Sequence, residues 1–211
     1  MSLRVLLIDD HAVVRDGLRT VLTASRRAVV VAEAATAREG VRKALEQPLD
    51  AVVMDLSLPD MSGIEALKLI RGERPRLPVV VFSMYDDREY CLRALRAGAL
   101  GYVTKQSAAE EIVQAIESVA AGRRYVSRSI ADHVFGAAIV ADKAARHEAL
   151  SDREFEVLCL IGSGATVTQI AERLCLSVKT VSTYRARMLE KLGLENNSQA
   201  IKYVVAHRLL P

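Results

Sequence analysis

Four short aliphatic runs, each ending in a charged or hydroxyl-bearing residue, constrain this chain more than any other feature. Val5 to Ile8 runs into Asp9-Asp10, Ala51 to Met54 into Asp55, Val79 to Phe82 into Ser83, and Gly101 to Thr104 into Lys105. Brief uninterrupted apolar runs of this kind are the pattern of strands buried on both faces of a parallel sheet. A fifth run lies at 29–33, and amphipathic helical stretches fall near 12–23, 36–47, 62–73, 87–97 and 108–121. In the second stretch Ala37, Val41, Ala44 and Leu45 share one face, with Arg38, Arg42 and Lys43 mostly off it. Strands alternating with helices of this length imply right-handed βαβ units with helices on both faces. The carboxyl ends of such strands form a single crevice where ligands bind. Asp9, Asp10, Asp55, Ser83 and Lys105, far apart in sequence, are therefore expected in one small site.

Carboxylates crowded together repel unless a hard cation sits among them. The expected ion is Mg²⁺ (or Mn²⁺), held by Asp10 and Asp55 with Asp9 in its water shell. Asp55 then suits the role of a nucleophile on phosphorus, forming an acyl phosphate. Lys105 supplies a point charge to one phosphoryl oxygen and Ser83 a hydrogen bond to another. A phosphatase of the haloacid dehalogenase type also forms a phosphoaspartate. It needs a second Asp two residues after the nucleophile, where this chain has Ser57.

The second half of the chain follows a different pattern. Ser151 and Glu154 have capping-box spacing, with Leu150 placed as a hydrophobic staple, and Thr166 and Gln169 repeat that spacing. Ser177 is positioned to cap a helix from Val178 to about Leu192, and a last helix following Asn196-Asn197-Ser198 carries Ala200, Ile201, Val204 and Val205 on its expected inner face. Val167–Leu174 and Val178–Leu192, joined by about three residues, have the spacing of a DNA-binding helix-turn-helix. On the second helix Val181, Met188 and Leu192 mark the core side. Lys179, Thr183, Ala186 and Glu190, flanked by Ser182 and Arg187, mark the opposite face. Lys179, Arg187 and Lys191 suit phosphates, whereas Ser182, Thr183 and Ala186 are short enough to approach base edges.

Bulk properties fit two small domains. The chain has 211 residues, 51% of them hydrophobic, and a net charge of +3. Lys and Arg outnumber Asp and Glu by 5 to 2 in residues 123–147, so the connecting segment holds the whole excess and neither domain is broadly basic. Cys91, Cys159 and Cys175 lack metal-ligand spacing and read as reduced packing cysteines. Neither a signal-peptide pattern nor an apolar stretch long enough for a bilayer is visible, so a cytoplasmic location without membrane association is expected.

The acidic pair, the phosphoacceptor Asp, the hydroxyl residue and the Lys occur in the order found in receiver domains, which residues 3–121 resemble. Leu150-Ser151-Asp152-Arg153-Glu154, Gly164, Ile170-Ala171, Leu174, Ser177, Lys179-Thr180-Val181 and Lys191-Leu192-Gly193 resemble the LuxR-type output domain over 148–211. The combination resembles NarL/FixJ-class two-component response regulators. It implies a five-stranded parallel sheet in flavodoxin-like order 2-1-3-4-5, followed by an all-α four-helix domain. Residues 122–147 become a linker, with a helix expected over Ser127 to Ala145.

The resemblance further implies that Asp55 receives its phosphoryl group from a sensor histidine kinase, and that the chain is not an enzyme beyond its own phosphoryl transfer and autodephosphorylation. It adds the Ser57 backbone carbonyl to the metal ligands and makes Ser83 and Tyr102 a switch pair; taken alone, Tyr102 also reads as an ordinary amphipathic residue on an edge strand. Ser182, Thr183 and Ala186 are carried over as base contacts, and Lys179, Thr180, Tyr184 and Arg187 as backbone contacts. The implied partners are double-stranded promoter DNA with paired half-sites, a second copy of the chain when phosphorylated or DNA-bound, and RNA polymerase. Phosphorylation is expected to control dimerisation or domain release, and so transcription. Gln106 stands where many receivers carry Pro. Ser182 and Tyr184 replace a Lys and a His common in the recognition helix, so an uncommon half-site is expected.

Overall fold

The computed structural model describes residues 2–84, 88–128, 130–131, 146–207 and 209. The first of two compact units, Met1–Ala137, alternates β1 (Leu3–Ile8), α1 (Ala12–Ser25), β2 (Ala28–Ala34), α2 (Ala37–Glu46), β3 (Ala51–Met54), α3 (Gly63–Glu73), β4 (Val79–Ser83), α4 (Arg88–Arg96), β5 (Gly101–Thr104), α5 (Ala109–Ala120) and β6 (Tyr125–Val126). All neighbouring strands are parallel, in the order β2-β1-β3-β4-β5-β6. Central strands β1, β3 and β4 carry Val, Leu and Ile buried on both faces because helices cover both sides. On one face, Val5, Leu7, Val53, Val80 and Val103 pack with Leu18 and Leu22 of α1 and with Ile112, Ile116 and Val119 of α5.

The structure departs from expectation at the sheet edge and on α2. The five-strand order holds, but a sixth short strand lies outside β5, with Gly101 paired to Tyr125 and Tyr102 to Val126. Tyr102 is therefore not on an edge, and its side chain is fully buried. On α2, Leu45 is 40% exposed, and the inner face runs through Ala37, Gly40 and Ala44 instead. The cause is close approach: a β-carbon at Gly40 would stand 2.5 Å from Cδ1 of Ile8, so this glycine lets the helix sit down on β1. The helix expected over Ser127 to Ala145 falls mostly outside the described residues.

The second unit, Ala138–Pro211, has four α-helices among its described residues, preceded by a short 3-10 turn at Arg146–Ala149. They are α6 (Asp152–Gly162), α7 (Val167–Arg173), α8 (Val178–Leu192) and α9 (Asn197–Ala206). Each start is set by a side-chain cap. Ser151 with Glu154 and Thr166 with Gln169 form complete capping boxes, while Ser177 and Asn196 accept from the Thr180 and Gln199 amides. Ala200 and Val204 are fully buried, but Ile201 is 37% and Val205 66% exposed. Only half of the apolar face expected on α9 is covered, because Ile201 and Val205 lie a further ~100° round the helix from Ala200 and Val204.

Candidate functional site

The strand ends bring the expected acids and lysine together. Asp9 and Asp55 are 2% and 3% exposed, and the Lys105 ammonium lies between them, 2.6 Å from Asp9 Oδ2 and 2.7 Å from Asp55 Oδ2. The Lys105 bond to Asp55 has hydrogen-bond geometry, while Asp9 Oδ2 is ion-paired without an aligned hydrogen bond. Lys105 is presented by the turn closed by Ser107 N–H on the Thr104 carbonyl and by the Thr104–Ser107 hydroxyl contact. Its own N–H donates to the carbonyl of Ser83, which ties the end of β5 to the fully buried Ser83 at the end of β4.

The loop after Asp55 is folded back tightly. Leu56 N–H donates to Asp55 Oδ1 at 2.7 Å, Ser57 bridges to Ser62, and Gly63 N–H reaches the Leu56 carbonyl. A β-carbon on Gly63 would meet the Asp55 carbonyl oxygen at 2.4 Å, so only glycine permits this closure.

Two buried carboxylates around one ammonium leave a negative charge uncompensated. Burial, reinforced by Asp9, pushes the Asp55 carboxyl above its ordinary range against the pull of Lys105. Burial alone would depress Lys105, yet the Asp55 and Asp9 carboxylates hold it above the usual lysine value. The raised Lys105 reports the excess of carboxylate around one ammonium, whereas the raised Asp55 reports its burial first. Asp9, Asp10, His11 and Asp55 each offer a ligand atom, all within 4.8 Å of one another. A set dominated by carboxylate oxygens fits a hard divalent cation.

Three neighbours escaped the sequence reading. His11 Nδ1 lies 2.7 Å from Asp10 Oδ1, a proximity legible in the Asp-Asp-His order itself. Arg15 donates to the Asp9 carbonyl at 2.6 Å and pairs with Glu33. Asp60 accepts from the Ala37 and Arg38 amides at 2.7 and 2.9 Å, clamping the acidic loop onto the N-terminus of α2. No local signal links Asp60 to a helix more than 20 positions earlier.

In the second unit, α7 and α8 form the helix-turn-helix. Val181, Met188, Leu189 and Leu192 are buried, whereas Lys179, Ser182, Thr183, Ala186, Arg187 and Glu190 are exposed. Tyr184 and Thr180 are half-buried, and the Thr180 hydroxyl contacts Ser177 at 2.8 Å. The Thr183 hydroxyl donates to the Lys179 carbonyl, leaving its lone pairs outward. Lys191 differs from the other cations: its ammonium lies 2.6 Å from Glu154.

Comparison with known proteins agrees with both halves. Residues 5–117 match the response regulator receiver domain, and residues 148–204 match the luxR family of bacterial regulatory proteins. The chain is 34% identical over 212 residues to response regulator GacA of Pseudomonas aeruginosa, covering 99% of this chain and 98% of that one. It is 39% identical over 207 residues to transcriptional regulatory protein LiaR of Bacillus subtilis, covering 98% and 97%. A LuxR-family two-component response regulator from Aurantimonas superposes with TM-score 0.64 at 42% identity, over 66% of this chain and all of that one. RcsB of Salmonella enterica, bound to a promoter in the presence of phosphomimetic BeF3−, gives TM-score 0.66 at 27% identity over 98% and 100%. A receiver fold with an acidic strand-end pocket, joined in one chain to a LuxR-type helix-turn-helix, makes this protein a two-component response regulator of the NarL/FixJ class, a DNA-binding regulator of transcription.

Proposed function

We propose that Asp55 is the phosphoacceptor, and that its phosphorylation controls how α8 engages DNA. An Asp55 carboxylate oxygen attacks the phosphorus of a kinase phosphohistidine. The new P–O bond forms as the P–N bond breaks, and the electron pair leaves with the imidazole nitrogen. Asp10, Asp55 and the Ser57 backbone carbonyl would hold Mg²⁺ or Mn²⁺, with Asp9 acting through its water shell. When bound, the ion supplies charge neutralisation for the phosphoryl oxygens. Lys105 exchanges its contact with Asp55 for one with a phosphoryl oxygen, and Ser83 donates to another. Tyr102 moves with Ser83 as the second member of the switch.

The observation that carries this reading is the Lys105 ammonium shared by two buried carboxylates. Asp55→Asn should abolish labelling by acetyl phosphate with Mg²⁺. Undiminished labelling of that variant would overturn the assignment.

On the output side we assign Ser182, Thr183 and Ala186 to base edges, and Lys179, Thr180, Tyr184 and Arg187 to the DNA backbone. A single module reads few bases, so two copies of the chain on paired half-sites are required, either through phosphorylation-favoured dimerisation or through release of the output domain. RNA polymerase is the remaining partner, and the cytoplasm the compartment. The working division is receiver 3–121, linker 122–147 and output domain 148–211, with the start of the linker laid on the receiver sheet as β6.

A further inference from the structure

The route by which the receiver reports its state begins at one backbone hydrogen bond. Ser127 N–H donates to the Tyr102 carbonyl at 2.9 Å, and Tyr125 N–H donates to the Leu100 carbonyl at 3.0 Å. The Ser127 carbonyl in turn accepts from Ile130 and Ala131 N–H at 3.1 and 2.9 Å, which opens the next helical turn. Ser127 and Ile130 are fully buried, and Tyr125 packs against the core that contains Val103, Ile112 and Ile116. This segment is thus a seated strand that passes directly into the connecting chain. It touches β5, whose four residues also lead to Lys105.

We propose that Ser127 is the positioning residue that couples phosphorylation to the output domain. Its pairing with Tyr102 holds the first turn of the linker against the unphosphorylated receiver. The inference rests on Asp55 being the phosphoacceptor. Lys105 N–H is bonded to the Ser83 carbonyl, so rearrangement of Ser83 and Lys105 around a phosphoryl group displaces β5. A two-residue strand held at one edge has few bonds with which to follow that displacement. Phosphorylation therefore loosens the Tyr102–Ser127 bond and frees the linker to take another arrangement.

The test uses the full chain, treated with acetyl phosphate and Mg²⁺ and followed by mass spectrometry. Labelling of Asp55 is read first. If the wild-type chain takes no label there, the phosphoacceptor reading fails and the inference falls with it. With Asp55 labelled, amide exchange over 125–131 should quicken about tenfold or more, and it should not change in Asp55→Asn. Exchange that stays within twofold on the fully labelled protein overturns the inference while leaving the phosphoacceptor reading intact.

Two variants give a second readout. Ser127→Pro lacks the N–H donor; it should be labelled like wild type but show the same DNA affinity with and without label. Ser127→Ala keeps the N–H and should keep the wild-type ratio of affinities. A wild-type ratio in Ser127→Pro contradicts the coupling role.

Discussion

Lys191 Nζ sits 2.6 Å from Glu154 Oε2, so a cation of the recognition helix is turned toward the start of α6. Glu154 also closes the capping box with Ser151, and its carboxylate therefore joins two helices. Contact of Lys191 with a DNA phosphate requires it to leave this partner. Lys179 and Arg187 have no ion-pair partner among the described residues. Lys179→Ala should accordingly weaken binding to all DNA sequences and lower the slope of affinity against salt by about one unit. Lys191→Met should change that slope much less, and should lower thermal stability by up to about 1 kcal/mol, the scale of a partly exposed pair.

The same pair sets an acid sensitivity. Burial alone would raise the Glu154 carboxyl, but hydrogen bonds from Lys191 and Ser151 outweigh it and hold it below its usual value of 4.5. A depressed carboxyl contributes stability that is complete above the unfolded value and is lost as pH falls through the folded one. Melting temperature of the wild-type chain should therefore drop below about pH 4.5 more steeply than that of Glu154→Gln. Parallel curves would remove this role from Glu154.

The acidic pocket has the opposite sign. Asp55 is raised above its usual 3.8, so the native state binds the extra proton, and without a cation stability should fall as pH rises from that value through the folded one. Lys105, also raised, contributes stability across neutral pH that is lost only as pH rises through its folded value, above the usual 10.5. Asp55→Asn should stabilise the metal-free chain by about 1–2 kcal/mol, because it removes an uncompensated buried charge. Added Mg²⁺ should raise the wild-type melting temperature and leave that of Asp55→Asn nearly unchanged. Calorimetry with and without Mg²⁺ reads both effects.

Cys175, in the turn between α7 and α8, has φ of 51°, in the left-handed region, where a side chain is strained and glycine is not. Cys175→Gly should raise stability of the output domain by about 0.5–1 kcal/mol without a change in DNA affinity. A lower melting temperature would show that the thiol contributes more than the backbone costs.

Most of the receiver was legible in the sequence because each functional residue ends an apolar run, and strand ends converge by topology alone. The helix starts were equally legible, since a cap is a local pattern: Ser151 with Glu154, Thr166 with Gln169, and Ser177 all stand where expected. Contacts between distant segments were not. Asp60 on the α2 amides, Lys191 on Glu154 and Ser127 on Tyr102 each depend on how elements pack. Periodicity also misjudged Leu45, Ile201 and Val205, because an apolar residue at helical spacing is buried only if a neighbouring element reaches that side.

The central claim is that charge chemistry at Asp55 governs what α8 does on DNA. The direct test measures affinity for promoter DNA of wild type and Asp55→Asn, each with and without acetyl phosphate and Mg²⁺, at one fixed salt concentration. The expected result is a rise in wild-type affinity of about tenfold on labelling, equivalent to about 1.4 kcal/mol, and no rise in Asp55→Asn. Equal affinities for labelled and unlabelled wild type, or an equal rise in Asp55→Asn, would contradict it.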